Sequence, residues 1–253
     1  MDKPVSDNKK TILNCGFNAV TEAEVLQWYM AGLTSRRARY ITTVNVAILM
    51  MMRQNKRLQQ FVDESDLTVA DGLPIIWLSK LIKAPLPERV TGIDLCNKFS
   101  ALAAQTGQSV YLLGASQQVV NKTRQTLLVD HPTLIIAGTS HGYFHENDTA
   151  KKVDEINKSG ADILFVAMGV PRQEYFLQDN LGRLNIKLAI AIGGSFDVIA
   201  GFKKRAPLWM QKTGLEWLFR TAQEPKRLAK RYIITNAQFL VLSFKALLFK
   251  QKT

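Results

Sequence analysis

One rhythm limits what this chain can fold into. Between residues 109 and 192, a short apolar run, a glycine-bearing turn and a helical stretch follow one another repeatedly. The apolar runs are Ser109 to Leu113, Leu134 to Gly138, Asp162 to Ala167 and Leu188 to Ile192. Helical stretches separate them: Gln117 to Val129, Asp148 to Ser159, and Pro171 to about Leu181. Strands alternating with helices argue right-handed crossovers and a parallel, doubly wound α/β sheet. The runs are nearly continuously apolar, as strands covered on both faces are.

The first half extends the pattern with less regularity. Thr11 to Phe17 reads as one strand, Thr21 to Ala31 as a helix and Arg36 to Arg39 as a basic turn. Tyr40 to Val44 reads as a strand that gives way at Asn45 to helices over 46–54 and 56–62. Leu67 to Ala70 is a strand ended by Asp71-Gly72, and helices are predicted over 73–82 and 94–106. The polar residues 1–10 read as disordered, residues 11–200 as the α/β domain and residues 201–253 as a helical appendage.

Charge separates the appendage from the rest. Residues 1–200 hold 21 Lys and Arg against 19 Asp and Glu, whereas residues 201–253 hold 12 against Glu216 and Glu224 alone. Such a block needs an anionic partner: phosphate, phospholipid or nucleic acid. Pro225 suits the start of a long helix, basic at Lys226, Arg227, Lys230 and Arg231 and apolar from Ile233 to Phe249. Asn236, Gln238, Ser243 and Lys245 make it too polar to span a bilayer and suited to lie in its interface. No apolar run reaches 18 residues, no signal peptide is evident, and Cys15 and Cys96 form neither a disulfide framework nor a zinc motif. A reducing, cytoplasmic compartment fits.

In a parallel open sheet, ligands sit at the carboxyl ends of the strands. Those ends here carry Asn45, Asp71-Gly72, Gly114, Gly142-Tyr143, Gly169 and Gly193-Gly194. Tight turns also use glycine, so each alone is open to either reading; five in six points to a site. No GxGxxG fingerprint occurs. Asp71 is the first choice for a reactive carboxylate and Asp197 the second, each with helix N-capping as the competing role. Gln173 and Glu174, in the first turn of a helix, suit hydrogen bonding to a sugar or phosphate. There is no Asp-x-Asp pair to hold a nucleotide diphosphate through a divalent metal. A metal-independent site is therefore expected, with phosphate charge balanced by helix ends and by Arg89, Arg205, Arg220, Arg227 and Arg231. His131, His141 and His145 lack metal spacing, and Trp77, Trp209 and Trp217 read as packing residues.

Seven ordered motifs resemble the WecG/TagA/CpsF family of bacterial glycosyltransferases, glycosyltransferase family 26, over residues 12–232. They are Thr43-Val44-Asn45; Ala70-Asp71-Gly72; Glu88-Arg89-Val90-Thr91-Gly92; Gly142-Tyr143-Phe144; Gly169-Val170-Pro171-Arg172-Gln173-Glu174; Gly193-Gly194-Ser195-Phe196-Asp197; and the stretch from Lys204-Arg205-Ala206-Pro207 through Gly214-Leu215-Glu216-Trp217 to Leu228. The resemblance implies a Rossmann-like fold and inverting transfer from a UDP-sugar to a polyprenyl-diphosphate-linked saccharide, in cell-surface or exopolysaccharide synthesis. It places the enzyme peripherally on the cytoplasmic face of the inner membrane, against an anionic lipid surface, and leaves a homo-oligomer open. It makes Asp71 the general base, with Thr43, Asn45 and Gln173 beside it in the catalytic set. Arg89, Arg220, Arg227 and Arg231 bind the acceptor diphosphate. Gly114, Gly142, Tyr143, Phe144, Gly169, Gly193, Gly194, Phe196 and Asp197 are expected to form the UDP-sugar pocket, with Tyr143 or Phe196 stacking on uracil. A nucleic-acid-binding protein and a non-catalytic nucleotide-binding membrane adaptor remain the alternatives. Basic and aromatic residues are not interleaved as RNA-binding motifs require, so no nucleic-acid partner is expected.

Overall fold

A computed structural model of the protein describes residues 8–35 and 37–250. Among the described residues there are eight strands: β1 Lys9–Ile12, β2 Cys15–Asn18, β3 Arg39–Val44, β4 Leu67–Ala70, β5 Ser109–Gly114, β6 Ile135–Ser140, β7 Ile163–Ala167 and β8 Leu188–Ala191. Strands β1 and β2 form an antiparallel hairpin, and the other six form one sheet in the order β4-β3-β8-β7-β5-β6. The pairs β3–β8, β7–β8, β5–β7 and β5–β6 are parallel. Every residue of β7 and β8 is buried, so the continuous apolar runs do mark strands covered on both faces. The α/β parallel-sheet expectation holds.

The stretch read as one strand over 11–17 is instead the β1–β2 hairpin. Its two turn residues, Leu13 and Asn14, both have positive φ (48° and 64°), as a type I′ turn requires. The turn lacks the Asn-Gly signature that would have announced it. Residues 1–7 of the expected disordered start lie outside the described residues, while Lys9 and Lys10 pair with Asn18 and Phe17. Arg36 of the expected basic turn also lies outside them.

The chain packs as two units, and neither is one continuous stretch. One takes residues up to Thr21, Thr43–Thr91 and everything from Arg205; the other takes Glu22–Thr42 and Gly92–Lys204. The first unit holds the hairpin, β4, and the helices α2 Val46–Met52, α3 Lys56–Asp63 and α4 Leu73–Leu81. It also holds the basic tail from Arg205 onward. The tail forms α10 Leu208–Lys212, α11 Glu216–Gln223 and α12 Pro225–Lys250. Helix α12 packs on α2, an almost wholly apolar helix capped by Asn45, whose side chain accepts from the Ile48 N–H at 3.1 Å. Leu228, Thr235 and Phe239, at helical spacing, form the buried face of α12.

The second unit carries β5 to β8, with α1 Glu22–Ala31, α5 Gly92–Thr106, α6 Gln117–Asp130, α7 Thr149–Ser159, α8 Arg172–Asn180 and α9 Ser195–Ile199. Tyr29 of α1 meets Phe99 of α5 edge to face at 5.3 Å. Strand β5 lies between β6 and β7. Helix α6 leads from β5 to β6, and α8 leads from β7 the opposite way to β8. This divergence opens a crevice at the carboxyl ends of β5 and β7, where doubly wound sheets bind ligands.

The crevice floor depends on a close backbone approach. A Cβ on Gly114 would lie 2.4 Å from the carbonyl of Ala167, and the Gly114 φ is +145°. Ala115 N donates to Ala167 O at 2.9 Å, and Gly142 N donates to Ala115 O at 2.9 Å. Gly114→Ala is therefore expected to destabilise the protein by roughly 2–4 kcal/mol, from steric overlap and backbone strain together. A chemical-denaturation midpoint unchanged from wild type would contradict this.

Candidate functional site

The first unit contains a cleft built around Asp71. The chain enters it from β4, whose end is fixed by the Asp71 N–H donating to Val44 O at 2.9 Å. The N-cap of α4 falls on Gly72, with no side-chain cap bond, and Pro74 lies in the first turn. Capping, the competing role for Asp71, thus belongs to its neighbour. The cleft is lined by Asn45, Val46, Asp71, Gly72 and Arg89, and from the tail by Glu216, Trp217, Arg220, Tyr232 and Asn236.

Four of these residues carry charge. Glu216 bridges the two arginines, its Oε2 at 2.9 Å from Arg89 Nη1 and its Oε1 at 3.1 Å from Arg220 Nη2. Burial works against the Arg220 charge, but the Glu216 and Asp71 carboxylates outweigh it and raise the pKa above the ordinary arginine value. Arg220 is a fixed cation at any working pH. The tail residues are set in place by Gly214, whose φ is +70° and whose absent side chain leaves room for the Trp77 indole. A Cβ there would lie 2.7 Å from the ring. Trp217 packs on Tyr232 with ring centroids 6.1 Å apart, joining α11 to α12. Trp209 is exposed, contrary to the packing role expected for it, and Trp77 is half-exposed, with its ring against Gly214.

In the second unit the strand-end glycines divide by their surroundings. Gly114 and Gly142 are crowded by their neighbours: a Cβ on Gly142 would lie 3.0 Å from Gly114 Cα and from the Met168 side chain. By contrast, Cβ atoms on Gly169, Gly193 and Gly194 would meet nothing within 4 Å. Those three turns border open space that a ligand can approach closely. Gln173 lies 1% exposed under them. Its Oε1 accepts from the Gly193 N–H at 3.1 Å and its Nε2 donates to Glu174 Oε1 at 2.8 Å. In this arrangement Gln173 shapes the Gly193 turn.

One aromatic assignment changes. Phe196 is 0% exposed, and its carbonyl accepts from Thr123 Oγ1 at 3.2 Å, so its ring is core and not a stacking face for uracil. Tyr143 is 73% exposed, and its N–H donates to His141 Nδ1 at 3.2 Å. Phe144 packs edge to face on Phe176 at 6.1 Å, and the Arg172 guanidinium lies 5.3 Å from the Phe144 ring. Asp197, in the first turn of α9, pairs with Lys203 at 3.4 Å. Helix α9 is only five residues long and makes a weak dipole.

The sequence-predicted residues therefore fall into two groups. Asn45, Asp71, Arg89 and Arg220 share the cleft of the first unit. Thr43 is buried in β3, and neither Arg205, Arg227 nor Arg231 is among the cleft-lining residues. Arg227 instead pairs with Glu224 on the surface. Gly169, Gln173, Gly193 and Gly194 gather at strand ends of the second unit, where Tyr143 offers an exposed ring. Glu216, Tyr232 and Asn236 were missed as site residues. The i, i+4 spacing of Tyr232 and Asn236 on a helix whose buried face runs through Leu228, Thr235 and Phe239 is the signal that points to them. Among the described residues no group of His, Cys, Asp and Glu is arranged to hold a metal ion.

A parallel sheet with a switch-point crevice, together with a cleft that gathers carboxylates and arginines, is the equipment of an α/β enzyme. The chain belongs to the glycosyl transferase WecG/TagA/CpsF family, whose model matches residues 10–253. It is 34% identical over 195 residues to an N-acetylglucosaminyldiphosphoundecaprenol N-acetyl-beta-D-mannosaminyltransferase of Bacillus spizizenii, covering 77% of this chain and 75% of that one. Proteins of the same name from Bacillus subtilis and Staphylococcus aureus are each 30% identical to it. These cover 80% and 84% of this chain and 78% and 83% of their own. Membership fits the enzyme reading of the sequence and not the nucleic-acid-binding or adaptor alternatives.

Phe196→Ala is expected to cost about 3–5 kcal/mol, as emptying a core aromatic does. Tyr143→Ala is expected to change stability by less than about 0.5 kcal/mol. Equal losses in thermal denaturation would refute this division of roles.

Proposed function

We propose that this chain transfers an N-acetylhexosaminyl group from a UDP-sugar to a saccharide carried on a polyprenyl diphosphate, with inversion, at the cytoplasmic face of the membrane. The observation that carries this reading is Asp71 in one cleft with Arg89 and Arg220. The names of the relatives supply the substrate class.

The chemistry is a single displacement. The acceptor sugar hydroxyl attacks the anomeric carbon of the donor, the bond to the UDP oxygen breaks, and the hydroxyl proton passes to Asp71. For that, the attacked carbon must come within bonding reach of the hydroxyl Asp71 deprotonates, and general-base help of this kind contributes typically 10²–10⁴-fold. Arg89 and Arg220 neutralise the acceptor diphosphate through charge-assisted hydrogen bonds. Asn45 orients the start of α2 by its cap, and Tyr232 and Asn236 offer hydrogen bonds to the acceptor sugar. The open turns at Gly169, Gly193 and Gly194 take the UDP-sugar, with Tyr143 as the exposed ring for uracil and Gln173 fixing the Gly193 turn. Phosphate charge is balanced by arginines and backbone N–H groups, so the reading needs no divalent metal.

Asp71→Asn is expected to lower turnover at least roughly 100-fold while UDP affinity measured by calorimetry stays within about two-fold, and a chelator is expected to leave wild-type turnover unchanged. Normal turnover in the Asp71→Asn protein would overturn the assignment.

The tail also supports membrane binding. Among the described residues no helix is long and apolar enough to cross a membrane. Helix α12 instead exposes Ile233, Leu240, Val241, Phe244 and Leu248 opposite its packed face, with Lys226 and Lys230 exposed near its start. An apolar stripe with lysines at one end suits an anionic interface. Because α12 packs on α2, deletion of the tail would also damage the cleft; surface substitutions give a cleaner test. The double substitution Leu240→Asp with Phe244→Asp is expected to reduce flotation with phosphatidylglycerol vesicles at least roughly ten-fold at unchanged thermal stability. Undiminished flotation would sink the interfacial role.

A further inference from the structure

Glu216 is the only acidic side chain that the basic tail contributes to the cleft, and both its carboxylate oxygens are engaged there by different arginines. The groups meeting in the cleft are Asp71 and Glu216 against Arg89 and Arg220, so its formal charges cancel. Two guanidiniums directed at the two oxygens of one anion form the arrangement by which proteins hold a phosphate group. Arg89 comes from the loop before α5 and Arg220 from α11, one turn beyond Glu216 itself. Glu216 is only partly buried, with its side chain 18% exposed. A carboxylate with residual solvent access can leave its partners without being stranded in a dry interior.

We infer that Glu216 is an internal counter-anion for the Arg89–Arg220 pair, and that an incoming diphosphate displaces it. This rests on the reading that the cleft receives the acceptor diphosphate. Until the anion arrives, Glu216 keeps two like-charged guanidiniums converged near Asp71. When the anion takes their hydrogen bonds, the carboxylate turns to solvent through its side-chain torsions. Glu216 is thus a positioning residue whose charge opposes the ligand it prepares for. It sets the affinity of the cleft for anions below what two arginines alone would give, which favours release of a product still carrying its diphosphate.

The test is calorimetric titration of the full chain with inorganic pyrophosphate. Glu216→Gln keeps the size and one acceptor oxygen and removes the charge; it is expected to bind roughly ten-fold tighter, a modest share of the Coulomb energy of one unit charge at this range after screening. Glu216→Asp keeps the charge and is expected to show no tightening, and Glu216→Met repeats the charge removal should the glutamine variant fail to fold. In turnover, Glu216→Gln is expected to lower the acceptor KM and leave the donor KM unchanged, a split that general loosening of the tail would not give. Pyrophosphate binding by folded Glu216→Gln equal to or weaker than wild type overturns the inference. Arg89→Gln and Arg220→Gln distinguish the two levels: both must weaken pyrophosphate binding. If neither does, the diphosphate reading of the cleft itself falls, and the role of Glu216 falls with it.

Discussion

Charge compensation in a half-buried cleft is the constraint on which the functional unit depends. Asp71 stands where β4 hands over to α4, and its neighbourhood must be supplied with cations. One of these, Arg89, is close in sequence; the other, Arg220, comes from the tail. The bridge from Arg89 to Glu216 spans 127 residues of chain. It joins the tail to the loop that follows α4. A region that looks from composition like a separate basic appendage therefore belongs, from Arg205 onward, to the same packed unit as Asp71. The apolar contact of α12 with α2 supplies the burial, and the ion bridge supplies the register.

That arrangement explains which parts of the structure were legible in the sequence. The strands from β5 to β8 were read within two residues of their ends because their signal is local: apolar runs closed by glycine turns. Gly169, Gly193 and Gly194 border open space, whereas Gly114 and Gly142 are crowded by their neighbours. In the sequence the two cases look alike, since a backbone approach leaves no trace distinguishable from a ligand approach. The β1–β2 hairpin was hidden because Leu13 and Asn14 adopt left-handed backbone without a glycine to advertise it.

Tertiary partners account for the remaining differences. Phe196 follows two glycines and resembles a ring offered to a nucleotide, yet it is closed over by α5 and α6. Arg220 lies on α11 and lines the cleft, whereas Arg227 and Arg231 lie at the start of α12 and do not, and a count of charge cannot separate them. Glu216 was visible only as one member of a motif. Its importance comes from the loop it reaches, which no local pattern specifies. Trp77 shows the reverse case: an apolar context predicted burial, whereas its ring is half-exposed against Gly214.

The proposed mechanism uses two sets of residues: Asp71, Arg89 and Arg220 for the acceptor diphosphate, and the open turns at Gly169, Gly193 and Gly194 for the nucleotide. The assignment of the nucleotide is the claim the mechanism rests on. Hydrogen–deuterium exchange of the full chain with and without UDP tests it most directly. Slowed exchange of backbone amides over residues 168–174 and 192–196, with residues 71–76 and 214–220 unaffected, is the predicted result. Protection confined to residues 71–76 and 214–220 would contradict it and place the nucleotide where the acceptor is now assigned.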